Sequence, residues 1–149
     1  MSAHVPGSTT PDALYYAGTL LRLVRALDQH LRAATGPDPL NTTELGVLGQ
    51  IDHGVDLPSL LARTLRLDPA RVTHVADRLV ARGYIAREVD PKDRRCWRLR
   101  LTPLGRQRLE EGRADVRAVM EVLLGGLTEE ERAGLLRGLE GVRRLVVGD

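Results

Sequence analysis

The chain has 149 residues, 42% of them hydrophobic, enough for one domain, or for two lobes, with a real core. Phenylalanine is absent and aromatics are 3%, so the core must come from Leu, Val and Ala, which favours helices over a β-sandwich. The net charge of +2 hides a segregation: Leu57 to Arg108 holds 13 Lys/Arg against 5 Asp/Glu and the remainder 9 against 15, so a polyanion partner is expected for the middle only.

In chain order, residues 1–11 hold Gly, Ser, Thr and two prolines and are expected to be a mobile tail. From Asp12 to Ala34, Leu14, Ala17, Leu20, Leu21, Val24, Leu27 and Leu31 recur at helical spacing, and Gly36-Pro37-Asp38-Pro39 breaks the pattern. Asn41 followed by Glu44 reads as a capping box. Its helix turns Leu45, Leu48 and Ile51 inward and stops at His53-Gly54. Val55 to Leu57 is expected as a short strand. Pro58 opens a helix carrying Leu60, Leu61, Ala62 and Leu65, and the turn Arg66-Leu67 leads to Asp68. Asp68 is expected to cap the next helix through its carboxylate, with Pro69 at the first helical position. Val72, Val75, Ala76, Leu79 and Val80 form that helix's apolar stripe. Its other face presents Ala70, Arg71, Thr73, His74, Asp77, Arg78, Ala81 and Arg82, and Gly83 ends it. One buried stripe and a face of Arg, Thr and His suit a DNA major groove. Asp77 would either accept from a cytosine amino group or hold Arg78, Arg71 or another cation in place.

Two strands follow, Ile85 to Val89 and Trp97 to Leu101, both with half-buried alternation. Asp90-Pro91-Lys92-Asp93-Arg94-Arg95 lies between them as a turn whose cations suit a phosphate backbone or a narrow minor groove. Thr102 and Pro103 then open a long helix with Leu104, Val116, Val119, Met120, Leu123 and Leu124 apolar. Its stretch from Arg106 to Arg113 is nearly all polar and is expected to be exposed. Gly125-Gly126 ends it. Thr128 and Glu131 make a capping box for a last helix with Leu135, Leu136, Leu139, Val142, Leu145 and Val146.

The stretch Leu60 to Arg106, with Asp-Pro-x-Asp-Arg-Arg at the turn and then Leu-Thr-Pro-x-Gly, resembles the winged helix-turn-helix core of the MarR family of bacterial transcription regulators. The resemblance implies a mainly α (α+β) fold. Residues 12–149 would form one MarR-type domain, with a winged helix DNA-binding lobe at 41–103 and a three-stranded sheet. Helices 12–34 and 104–149 would form a dimerisation lobe. It also implies that Asp93 orients the Arg95 guanidinium into the minor groove. Lys92, Arg94, Arg98 and Arg100 would then face phosphates. Leu57 stands where the pattern usually has a small polar cap.

Three apolar stripes outside the small winged lobe ask for a second copy, through residues such as Leu14, Leu21, Val119, Leu123, Leu135, Leu139, Val142 and Leu145. An intramolecular three-helix bundle is the alternative. The expected function is an effector-responsive repressor that binds an inverted-repeat operator on double-stranded DNA as a homodimer. Its rivals are a weakly specific architectural DNA-binding protein and a winged-helix protein-interaction module. The resemblance implies a small, often aromatic effector, for which Tyr15, Tyr16, His30 and Trp97 are the only hints. Arg94, Arg95 and Arg98 would lower the thiol pKa of Cys96. The family's peroxide sensors carry their redox cysteine in the first helix, which has none here, so Cys96 reads as an incidental small residue. No metal-ligand spacing, phosphate loop or nucleophile elbow is present, so no enzyme, metal or cofactor is expected. With no signal peptide or membrane-spanning apolar run, the chain reads as cytoplasmic.

Overall fold

The structure is a computed structural model describing residues 12–34 and 38–146; the expected tail at 1–11 lies outside the described residues. The order is α1 (Ala13–Ala34), α2 (Thr42–Asp52), α3 (Pro58–Leu65), α4 (Pro69–Ala81), β1 (Ile85–Val89), β2 (Trp97–Leu101), α5 (Pro103–Gly125) and α6 (Glu129–Val146). The chain is mainly α with one small antiparallel sheet, a winged helix-turn-helix flanked by long helices.

The helix starts follow local chemistry. The Asn41 side chain accepts from the Glu44 N–H at 2.8 Å, and Glu44 Oε2 accepts from the Asn41 N–H at 3.0 Å. Thr128 and Glu131 repeat this at α6, and the Thr102 hydroxyl accepts from the Gly105 N–H at 2.9 Å at α5. Leu57 stands before α3 without a side-chain cap, as its apolar character requires. Asp68 is a correction. Its backbone is extended before Pro69, yet its carboxylate makes no capping bond. Pro69 stands at the first helical position, where its missing donor costs nothing.

One core binds the winged lobe. Val47, Leu48 and Ile51 of α2 meet Leu61 and Ala62 of α3 and the α4 stripe Val72, Val75, Ala76 and Leu79. Tyr84, Ile85, Leu99 and Leu109 close it. Leu60, expected with the inward residues of α3, is 39% exposed, because Leu61 and Ala62 occupy the face toward α4.

The sheet has two strands rather than three, with Ile85 opposite Leu101 and Val89 opposite Trp97. Residues 55–57 make a single ladder-like contact, the Leu99 N–H donating to the Asp56 carbonyl at 2.8 Å. Pro58 then turns the chain into α3 and lacks the N–H that would extend the pairing.

The Arg106 to Arg113 stretch of α5 is also a correction. It is the most buried part of that helix, through Gly105, Arg108, Leu109 and Gly112. A Cβ at Gly105 would sit 1.8 Å from the Tyr84 carbonyl oxygen, and one at Gly112 would sit 2.7 Å from Leu45 Cδ1. Glycine permits a close approach here that no apolar stripe announces. By contrast α6 buries no residue. Among the described residues no helix is long and apolar enough to cross a membrane.

Candidate nucleic-acid interface

The α3–turn–α4 unit presents Ala70, Arg71, Thr73, His74, Asp77 and Arg78 to solvent, all exposed, opposite the buried stripe. These residues do not share one role. Among the described residues, Arg71 and His74 have no hydrogen bond or ion pair from their side chains. The Thr73 hydroxyl donates back to the Pro69 carbonyl at 3.1 Å. Asp77 pairs with Arg87 of β1, a cation other than Arg71 and Arg78, and so ties α4 to the wing.

The far end of α4 is anchored. Glu44, fully buried in α2, has Arg78 Nη2 2.9 Å from Oε1 and Arg82 Nη1 3.3 Å from Oε2. The Arg78 contact is an ion pair without hydrogen-bond alignment, since Oε1 has no aligned donor. Arg82 also reaches Asp38 at 2.6 Å and lies over the Tyr84 ring, 5.0 Å from its centroid. Tyr84 donates its hydroxyl proton to Asp38, and Arg108 of α5 donates to the Asp38 carbonyl at 3.1 Å. The Tyr84 bond, with help from Arg82, holds the Asp38 carboxyl below its ordinary pKa. Arg82, expected on the reading face, is thus two-way bonded and largely covered, with its side chain 18% exposed.

The wing shows the same division. Asp90 accepts from the Lys92 backbone N–H at 2.8 Å and from Arg98 Nε at 3.1 Å, and those contacts lower its pKa in that order. Arg98 also grips both carboxylate oxygens of Asp56 at 2.9 and 2.8 Å, and Asp56 with Asp90 raises its pKa. Arg98 therefore fastens the wing base to the loop before α3, and Arg100 pairs with Glu88 across the sheet. At the tip, Asp93 accepts from the backbone N–H of Arg95 at 3.0 Å and not from its guanidinium. A hydrogen bond from Cys96 to Asp93 raises the thiol pKa, the reverse of the lowering expected from the neighbouring arginines. Lys92, Arg94 and Arg95 have no acidic side-chain partner among the described residues.

Within Leu57–Arg108, cations with partners brace the lobe: Arg78, Arg82, Arg87, Arg98, Arg100, Arg106 and Arg108. Their acids Asp38, Glu44, Asp52 and Asp56 were absent from the sequence-level site. They lie before the basic segment, and Arg108 reaches Asp38 across 70 residues, so no local pattern could pair them.

The side chains first grouped as one effector site are dispersed. His30 lines a groove of about 470 Å³ with Ala33, Ala118, Val119, Val122 and Leu123. Tyr15 and Tyr16 stack edge to face on α1, 6.2 Å apart, and line neither this groove nor the one holding Trp97. Trp97 faces a separate groove of about 690 Å³ with Pro58, Thr73, Asp77 and Arg87. No cluster of three metal-ligating side chains occurs among the described residues. Of the expected association residues, Leu14, Leu21, Leu123, Leu135, Leu139, Val142 and Leu145 are exposed, Leu145 by 88%, and Val119 is half-buried.

Comparisons with known proteins agree with this architecture. Residues 38–95 match the family profile described as MarR family. The HTH-type transcriptional repressor MdtR of Bacillus subtilis is 42% identical over 79 residues, 53% of this chain. YdgJ of the same organism, an uncharacterised HTH-type transcriptional regulator, is 30% identical over 112 residues, 74% of this chain. The matched stretch spans 51% of MdtR and 66% of YdgJ. Among solved structures, apo MarR from E. coli superposes with a TM-score of 0.72 at 27% identity, covering 91% of this chain and 98% of that one. The helix-turn-helix with its wing, the sequence match and the near full-length likeness lead to one conclusion: this chain belongs to the MarR family, whose members are transcription regulators rather than enzymes.

Proposed function

We propose that the chain is a DNA-binding transcription regulator of the cytoplasm that acts as a homodimer on an inverted-repeat operator. The observation that carries the reading is the sorting of its cations. Among the described residues, Arg71 and His74 on α4 and Lys92, Arg94 and Arg95 on the wing have no acidic partner, while the arginines behind them are neutralised by acids. Within the basic segment, the cations left unpaired on α4 and the wing lie where a duplex could take them. In this reading Arg71 and His74 meet base edges in the major groove, with Ala70 and Thr73 beside them. Lys92 and Arg94 bind phosphate, and Arg95 enters the minor groove. Arg78, Arg82, Arg98 and Arg100 position these elements.

The dimer is supported by the exposed large apolar residues of α1, α6 and the second half of α5, which a second copy would cover. Repression is supported by the likeness to MdtR, a transcriptional repressor. An effector would act by population shift, favouring a spacing of the two recognition helices that no longer fits the operator. The mostly apolar groove beside His30 suits a small aromatic molecule better than the dispersed tyrosines do. The test is genome-wide mapping of bound DNA followed by footprinting. Protected half-sites should form an inverted repeat with centres about 34 Å apart. A single half-site, a direct repeat or no enriched site would overturn the reading.

A further inference from the structure

Arg63 and Arg66 are exposed, three residues apart, and pair with no acid among the described residues, Asp68 included. Arg63 lies on α3 in a groove of about 480 Å³ shared with Ser59, Ala62, Leu67, Pro69 and Thr73, so it stands beside the first turn of α4. Arg66 ends α3 with φ 52° and ψ 46°, in the left-handed region. It is the only non-glycine with positive φ among the described residues; the comparable turns after α2 and α4 use Gly54 and Gly83. A glycine would make the α3–α4 turn without steric cost. An unfavourable backbone conformation that persists with an unpaired cation points to work done by that side chain.

We propose that Arg63 and Arg66 are a second phosphate-binding row, gripping the DNA backbone along the α3 side of the recognition helix. The inference rests on the DNA-binding reading above and extends it from α4 and the wing to α3 and the turn. It separates a stability role from a binding role at one residue. Arg66 costs the fold free energy and returns it only when DNA is bound. Arg63 sits on an ordinary helical position, where its removal leaves folding unchanged.

The experiment is a salt titration of the full chain on a mixed-sequence duplex of about three helical turns, read by fluorescence anisotropy, with thermal unfolding measured in parallel. Arg66→Gly should raise the Tm, weaken binding, and make the slope of log affinity against log salt shallower by about 1 per chain. Arg63→Ala should lower the slope by the same amount, about 1 per chain, with Tm unchanged. Arg66→Lys, which keeps the charge and the Cβ, should retain the wild-type slope without the gain in Tm. If the wild type binds and Arg66→Gly and Arg63→Ala keep its affinity and slope, this inference falls and the DNA-binding reading stands. If the wild type binds no duplex at low salt, both fall.

Discussion

The two halves of α5 invert the usual relation between pattern and burial. From Pro103 to Gly112 the helix shows little apolar sequence, yet Gly105, Arg108, Leu109 and Gly112 are its buried residues. From Val116 to Leu124 it carries a regular apolar stripe, yet Val122 and Leu123 stand 78% and 47% exposed. Burial is decided by what lies across from a helix. The first half approaches α2 and Tyr84 through glycine, so one leucine and an arginine stem suffice. The second half has an apolar face that α1 covers only in part. One half is completed by the winged lobe, and the other is shaped for a partner.

The strongest way to break the first half is Gly105→Ala. Its Cβ would meet the Tyr84 carbonyl carbon and oxygen at 2.7 and 1.8 Å, and backbone cannot swing aside as a side chain can. Overpacking of this kind should cost at least about 3 kcal/mol, read as loss of the chemical-denaturation transition or a large fall in its midpoint. The same change at Gly112 meets the mobile end of Leu45 and should cost less.

The second half and α6 are probed by Leu139→Asp, on a helix that buries nothing within the chain. The winged lobe should keep its stability while the dimer dissociation constant rises a hundredfold or more, about 3 kcal/mol, measured by sedimentation. An unchanged dimer would show that α6 is not at the seam.

The division among cations gives effects of about 1–3 kcal/mol. Arg71→Ala and His74→Ala should lose discrimination between operator and scrambled DNA by about that amount. Lys92→Ala and Arg94→Ala should weaken binding to all sequences and flatten the salt slope by about 1 per contact. Competition titrations on both duplexes separate the two behaviours, and a loss of specificity confined to Lys92→Ala would reverse the assignment.

The smallest effects concern protons. The Asp38 pKa is depressed in the folded state, so its contribution to stability is present above the ordinary carboxylate value of 3.8 and is lost as pH falls through the folded value. Asp38→Asn should flatten the acid limb of an unfolding-versus-pH curve without altering its neutral plateau's shape. The Asp93 hydrogen bond that raises the Cys96 thiol pKa predicts slow alkylation near neutral pH, and Asp93→Asn should speed it.

What the residues alone determined is local. The Asn41–Glu44 and Thr128–Glu131 boxes, Pro58, Pro69 and Pro103 at helix starts and Gly83 at a helix end each act within a turn of chain, and their elements lie where the pattern puts them. The α4 stripe located the reading helix because period follows directly from backbone geometry, whereas β1 buries only Ile85 and shows no alternation. Only the tertiary structure decided which arginines are spent, because Arg82 meets Asp38 across 44 residues and Arg98 meets Asp56 across 42. It alone excluded the third strand, buried Glu44 and dispersed Tyr15, Tyr16, His30 and Trp97. Charge pairing and close approach depend on distance in space, and composition and period carry no record of it.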